Sequence, residues 1–285
     1  MISAVVISHR AGDHLVRCLG ALERLRDEGL AEIIVVDNAS GDGSPERVRQ
    51  EFPQVRLLGL ASNIGFGAAN NRGAALAAGD RLLLINSDAW LESGSLRALD
   101  RALDTDPDLA AVAPRLHYPD GRPQFHWAPA TGVLGEALQK LRNRFEASSW
   151  VHRPPPRWLA PWYSAACLLV RSRAFAAVGG FDPGYFLYFE DVDLCRRWRL
   201  AGWRVATAED AIATHVKGGS QEGDAASRQT EGRAALEYRR SQLRYYSRHR
   251  PRWEEAVLRR RLARKLGDIR DPEHRAAMAR LLDGS

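Results

Sequence analysis

The 285-residue sequence contains only three cysteines, Cys18, Cys167 and Cys195, and no apolar run near the length a membrane-spanning helix needs, roughly 20 residues. Three scattered thiols exclude both a disulfide framework and a cysteine-rich zinc cluster. Each is expected to pack as a small apolar side chain in a reducing compartment. No internal repeat is present. The N-terminal MISAVVISHR is apolar but lacks a basic leader and a small-residue cleavage site, and is expected to be a first strand of a cytoplasmic protein rather than a signal peptide. What is present is ordinary for a soluble globular chain: 45% hydrophobic and 27% charged residues, enough for one large domain or a domain with an appendage. The net charge of +6 is uneven. Residues 225–285 hold sixteen Lys or Arg against eight Asp or Glu, so the remainder is close to neutral. The basicity belongs to the tail and says little about the core chemistry. No nucleic-acid reader motif accompanies it, and nucleic acid is not an expected partner.

The first half alternates strand-like and helix-like patterns. Ser3–Ser8, Glu32–Val36, Val55–Leu60 and Arg81–Ile85 read as apolar strands; Asp13–Arg26, Pro45–Gln50, Gly67–Ala78 and Ser95–Leu103 read as helices. Continuous apolar strands in β-α-β-α order imply a parallel sheet covered on both faces. Ligands of such sheets bind beyond the strand C-termini, which singles out Ser8-His9-Arg10, Asp37-Asn38, Asn63 and Asn86-Ser87-Asp88. Residues 114–161 are rich in Pro, Trp, His and Arg with weak periodicity, and read as a variable lid or acceptor-side insertion, with a loop at Pro154-Pro155-Pro156. Trp162–Val170 returns to strand-like sequence, and Trp203–Ala206 is a short strand candidate. From about Ala225 the chain reads as helical and basic.

Residues 179–205, GGFDPGYFLYFEDVDLCRRWRLAGWRV, run from four aromatics into Glu190, Asp191 and Asp193 and then into a helical pattern with Arg196, Arg197 and Arg199. A carboxylate among apolar flanks with arginines nearby is a candidate general base. Acids at a helix start also cap amides and oppose the dipole, and Asp193 is assigned that task. Asp88, just past the most hydrophobic strand, can hold Mg2+ or Mn2+, or belong to an Asn-Ser-Asp turn. His215 is a structural histidine unless it joins Asp88 on one metal. Asp37 ends the second strand, where an acid accepts hydrogen bonds from a base or ribose. Gly65-x-Gly67 imitates a dinucleotide fingerprint, but Asn70 stands at the third glycine position and the motif follows the third strand, which argues against NAD. Trp253, Val257, Leu258, Leu262, Leu266 and Ile269, interleaved with arginines, form an amphipathic pattern that suits an anionic membrane, or else packing on the body or in a homodimer.

Together these segments resemble the family 2 glycosyltransferases of GT-A fold, especially the bacterial rhamnosyltransferase-like branch. The resemblance covers roughly residues 1–250 and rests on SAVVISHR, VVDNASGDGS, NIGFGAANNRGA, LLLINSD, SAACLLVR, the 179–205 segment and ATHVKGGS in that order, with LEYRRSQLRYYSRHRP in the tail. It implies a GT-A catalytic domain over 1–224, with a nucleotide-binding half (1–113) and an acceptor-binding half (114–224), and a basic helical extension over 225–285. It implies a divalent cation (Mn2+ or Mg2+) on Asp88 and His215, nucleotide contacts at Ser8, His9, Asp37, Asn63 and Asn86, acceptor contacts at Glu190 and Trp162, and Asp191 as catalytic base. Asn86 stands where many relatives carry a first Asp, and Ala165 replaces a frequent glycine. The implied reaction is inverting transfer from a nucleotide-diphosphate sugar, dTDP-rhamnose first and a UDP-sugar next, to a glycan or lipid-linked acceptor of cell-surface polysaccharide synthesis at the inner face of the plasma membrane. A non-catalytic sugar-nucleotide-binding protein is the rival from another class.

Overall fold

The computed structural model describes residues 1–145, 148–155, 159, 161–216 and 224–283. Pro156 of the proline run and residues 217–220 of ATHVKGGS lie outside the described residues. The first half forms β1 (Ile2–Ser8), α1 (Gly12–Glu23), β2 (Leu30–Asp37), α2 (Ser44–Glu51), β3 (Arg56–Gly59), α3 (Phe66–Ala74), β4 (Arg81–Asn86), β5 (Ala89–Leu91) and α4 (Ser95–Asp104). Every residue of β1 is buried, as a strand covered on both faces requires. Its alternate residues feed two cores: Ala4 and Val6 pack with α1 and α4, Val5 and Ile7 with the layer holding α3. β1 pairs in parallel with β2 and β4, and β2 with β3. The register sets Ser8 opposite Asp37 and Ile7 opposite Asn86, so the residues that follow these strands share one end of the sheet.

The second half forms β6 (Leu109–His117), β7 (Pro123–Gln124), β8 (Trp127–Ala128), α5 (Val133–Asn143), β9 (Trp162–Tyr163), β10 (Cys167–Arg171), α6 (Ser172–Ala177), α7 (Glu190–Leu200) and β11 (Arg204–His215). The main sheet runs β3-β2-β1-β4-β10-β6-β11-β5, with β7 on the side of β6. β10 is antiparallel to both β4 and β6, β11 is parallel to β6, and β5 is antiparallel to β11. The expected α/β class holds, and the sheet becomes mixed beyond β4. β11 is three times longer than the Trp203–Ala206 strand read from sequence. Its register shifts between Ala208 and Ile212, and exposed Glu209 and Asp210 sit in that irregularity, which hides the strand's period. The extra length carries His215 to the sheet end where Asp88 lies.

The tail forms α8 (Asp224–His249), α9 (Arg252–Arg264) and α10 (Pro272–Asp283). Leu243, Tyr245, Tyr246, Leu258 and Leu262 bury themselves against Tyr185, Phe189 and Val192. Ser241 Oγ donates to Leu187 O (2.8 Å), and His249 Nε2 meets Asp193 Oδ1 (2.7 Å). The helical extension thus packs on the segment carrying the candidate base. Among the described residues no helix is long and apolar enough to cross a membrane.

Candidate active site

One part of the candidate site is built where β1 and β2 stop. Among the described residues four non-glycine positions take left-handed backbone: Arg10 (φ 53°) after β1, Ala39 (φ 60°) after β2, and Tyr188 (φ 68°) and Phe189 (φ 65°) before α7. Such conformations cost on the order of 1–3 kcal/mol each and gather where a site over-determines them. Among the described residues Ser8 Oγ and Asp37 Oδ1 are buried with no hydrogen-bond partner, while Asp37 Oδ2 accepts from Ser40 N (3.4 Å). His9 Nδ1 donates to Asn38 O (3.0 Å). Asn63 Oδ1 accepts from Asn38 Nδ2 and from Gly65 N, both at 2.9 Å, so this side chain shapes the loop that enters α3.

That loop explains the false fingerprint. Phe66 N donates to Phe186 O (2.9 Å), and a Cβ at Gly65 (φ +87°) would stand 2.5 Å from the same oxygen. A Cβ at Gly67 would stand 2.9 Å from Phe181 Cβ. Both glycines let α3 meet the 181–190 segment; they do not cradle a dinucleotide. Gly65→Ala is expected to lose about 2–4 kcal/mol of stability, from overpacking and left-handed strain together, measured as the denaturation midpoint. An unchanged midpoint would mean that the segment yields without cost.

The metal end joins a two-residue turn to the end of β11. Ser87 and Asp88 link β4 to β5, and His215 pairs with Ala89, so the histidine arrives beside Asp88. His215 Nε2 lies 3.4 Å from Asp88 Oδ1 and 3.4 Å from Asn86 Nδ2. Gln124 of β7 grips the histidine twice: its Nε2 donates to His215 O (3.2 Å), and its Oε1 lies 2.7 Å from His215 Nδ1. A carbonyl oxygen only accepts, which fixes the orientation of the Gln124 amide and makes His215 Nδ1 the donor. Nε2 then offers a lone pair toward the Asp88 carboxylate, an arrangement suited to a cation between them. Beside it Asn86 Oδ1 is buried with no hydrogen-bond partner among the described residues. Among the described residues no group of three His, Cys, Asp or Glu can hold a metal. The chain would supply two ligands here, and the hard oxygens of a diphosphate and water suit the rest.

The carboxylates start α7. Asp191 Oδ1 accepts from Val192 N (2.8 Å) and Oδ2 from Ala165 N (3.4 Å), which aims the group. Burial raises its pKa to about 6, against the pull of those amides. Glu190 Oε2 is buried with no hydrogen-bond partner among the described residues; burial, and then the Asp191 charge, push Glu190 well above the usual carboxylate range. Asp193 is not the helix cap: it accepts from Arg197 Nε (2.6 Å) and meets His249 (2.7 Å), tying α7 to α8. Both of its oxygens are turned to these partners, and no side-chain hydrogen bond caps the start of α7.

A cleft of about 460 Å3 collects these parts, with Asn86, Trp162, Glu190, Asp191 and His215 in its walls. Asp88 adjoins it through His215, and Ser8, His9, Asp37 and Asn63, at and after the ends of the first strands, lie beyond its lining. Among the lining residues that the sequence reading did not single out are Gln124, in the weakly periodic 114–161 region, and Tyr238, in the extension. Tyr238 packs edge-on to Tyr188 and Phe189 (ring centroids 5.5 and 5.3 Å), so the extension completes the cleft wall. No local signal marks Gln124, because its partner is 91 residues away; Tyr238 sits in LEYRRSQLRYYSRHRP, a segment singled out only by resemblance.

The model of Glycosyl transferase family 2 matches residues 3–160, more than half of the chain. The chain is a family 2 glycosyltransferase. This glycosyltransferase is 34% identical over 246 residues, 80% of each chain, to the N-acetylglucosaminyl-diphospho-decaprenol L-rhamnosyltransferase of Mycobacterium tuberculosis. Among solved structures, TarS residues 1–349 of S. aureus superposes with a TM-score of 0.57 at 15% identity, covering 99% of this glycosyltransferase and 88% of TarS. The mannosyltransferase PcManGT from Pyrobaculum calidifontis, in complex with GDP-Man and Mn2+, gives 0.57 at 17%, covering 99% and 74%. At these identities the likeness carries the fold, which is GT-A. The similar rhamnosyltransferase spans the segments on both sides of the cleft, including those beyond residue 160.

Proposed function

We propose that this glycosyltransferase is a metal-dependent inverting rhamnosyltransferase that takes its sugar from dTDP-rhamnose and passes it to a lipid-linked acceptor at the cytoplasmic face of the plasma membrane. The observation that carries the reading is the pairing, across one cleft, of the Gln124–His215–Asp88 arrangement with an aimed, desolvated Asp191. The donor and the lipid-linked acceptor are supported by the likeness to a diphospho-decaprenol L-rhamnosyltransferase, and the cation by a fold neighbour whose structure holds Mn2+. We assign residues 1–113 to the donor, 114–224 to the acceptor, and 225–285 to an extension that closes the cleft with Tyr238.

Asp37 and Ser8, with buried unpartnered oxygens, would accept or donate to the base and ribose; His9 and the loop braced by Asn63 border the same space. Asp88 and His215 would hold the cation, with Asn86 beside them. When bound, it would neutralise the charge that develops on the departing diphosphate, so no second carboxyl acid is required. Asp191, mostly ionised at pH 7, accepts the proton of the acceptor hydroxyl as that oxygen attacks the anomeric carbon, and direct displacement inverts that centre. Glu190, whose carboxyl burial and Asp191 push well above the usual range, would share a hydrogen bond with the acceptor, and Trp162 offers a flat wall for a sugar.

A thermal-shift screen with dTDP, UDP and GDP, each with and without Mn2+, tests the donor. At about 100 times Kd a ligand adds about 2.7 kcal/mol, a rise of roughly 5 °C for a chain of this size. The largest rise is expected for dTDP with Mn2+. A larger UDP response would replace the donor by a UDP-sugar, and no response to any nucleotide would sink the reading. A merely sugar-nucleotide-binding protein would give the shifts without donor turnover.

A further inference from the structure

α5 has two unlike faces. Gly135, Glu136 and Gln139 turn to the acceptor cleft. Leu134, Leu138, Leu141 and Phe145, spaced at four, three and four residues, form an exposed stripe on the other side, and Leu134 is 79% accessible. Exposed Trp150 packs against Phe145, with ring centroids 5.7 Å apart. α9 extends this surface: Glu254 accepts from Val133 N at the start of α5, and Arg261 pairs with Glu136. One helical step from those contacts, Trp253 (60% accessible) and Val257 point outward beside exposed Arg260 and Arg264.

Large apolar side chains in such a row are uncommon on a free surface and mark a contact. The charges indicate with what. The exposed charges of 134–145 are Lys140 and Arg144; those beside Trp253 are Arg252, Arg260 and Arg264. The acids of both helices are engaged: Glu136 with Arg261, Glu254 with Arg250, and Glu255 with Arg259. A second copy placed two-fold on this face would set basic residues against basic residues. Anionic headgroups complement them, and the hydrocarbon boundary accepts the leucines and tryptophans.

We propose that the outward faces of α5 and α9 form one docking surface for an anionic lipid bilayer. The surface lies on the reverse of the helix that lines the acceptor cleft, and so brings the cleft to where a lipid-linked acceptor is embedded. The apolar anchor is α5, inside the region read from sequence as a variable lid; the basic tail supplies the rim. This rests in part on the lipid-linked acceptor reading, and vesicle binding is measured without donor or acceptor so that the two can fail separately.

The test is co-flotation of the full chain with vesicles of phosphatidylcholine alone or mixed equally with phosphatidylglycerol. The chain is expected to float with the mixed vesicles and to stay behind with the neutral ones. Leu138→Glu/Leu141→Glu should lower the bound fraction about tenfold or more, because it sets charge on the inserting face. Both side chains are exposed, so the unfolding midpoint and the nucleotide thermal shift should stay at wild-type values. Flotation of the double variant like wild type overturns the proposal, as does a wild-type chain that never floats. A wild-type dimer in light scattering that the same variant makes monomeric, without flotation, would assign the face to a second copy instead. Vesicle binding without transfer to any lipid-linked acceptor would remove the acceptor reading and leave the docking surface standing.

Discussion

Asp191→Asn is expected to lower kcat about 1,000-fold while making the protein more stable at neutral pH. The loss follows from removing the proton acceptor, since positioned general bases contribute about 100- to 10,000-fold. Nucleotide affinity should stay near wild type, because Asp191 lines the acceptor side of the cleft. The gain in stability follows from linkage. Burial raises the folded-state pKa to about 6 from an ordinary value of 3.8. Between these values the folded state keeps a proton that the unfolded chain has released, so stability falls as pH rises through this window and the full cost applies above about pH 6. A shift of this size corresponds to about 3 kcal/mol. Asparagine removes it but cannot accept from both the Val192 and Ala165 amides, which returns about 1 kcal/mol. A net gain of about 1–2 kcal/mol at pH 7.5, smaller at pH 5, should appear in paired denaturation curves. In the wild type, kcat/KM should rise with pH and level off above about 6. Wild-type turnover by the variant would remove Asp191 as base; a variant less stable at pH 7.5 would mean that its carboxylate is satisfied in the folded state.

Residues 1–113 were legible because their signals are local. β1, β2 and β4 are continuous apolar runs, and the residues that follow them had to share one end of a parallel sheet, which is where Ser8, Asp37 and Asn86 stand. Residues 114–224 were not, because their elements are short and held by distant partners. β7 and β8 have two residues each, too few for any period, and β11 hides its length behind an irregularity bearing Glu209 and Asp210. The pairing of α7 with α8 through Asp193 and His249 joins residues 56 positions apart, so capping looked the better use for Asp193. Gly65 and Gly67 were legible as glycines that matter, but the atoms that require them belong to Phe186 and Phe181. The same remoteness governs the candidate metal end: Asp88 and His215 carry recognisable chemistry in their own segments, and Gln124 acquires its task only when β7, paired to β6, brings its side chain to the end of β11.

Gln124 therefore makes the sharper test of the metal end. In a series of Asp88→Asn, His215→Ala and Gln124→Ala, Mn2+ titrations of nucleotide binding should weaken about 100-fold or more for the first two and about 10-fold for the third. Asp88→Asn removes the charge that attracts the cation, and His215→Ala removes the nitrogen. Gln124→Ala leaves both in place and releases the imidazole: either ring nitrogen can then carry the proton, and the ring is free to turn from Asp88. The 3.2 Å bond to His215 O is lost as well, so the end of β11 should loosen. A purely structural Gln124 would lower stability and leave the Mn2+ dependence of nucleotide binding at its wild-type value, whereas a positioning Gln124 moves that dependence and spares metal-free binding. Gln124→Glu separates the two bonds. Its carboxylate still accepts from Nδ1 but faces the His215 carbonyl with a second acceptor, so it should keep more Mn2+ dependence than Gln124→Ala while losing as much stability. If all three single variants titrate with Mn2+ like wild type, Asp88 and His215 are structural and the proposed metal dependence fails with them.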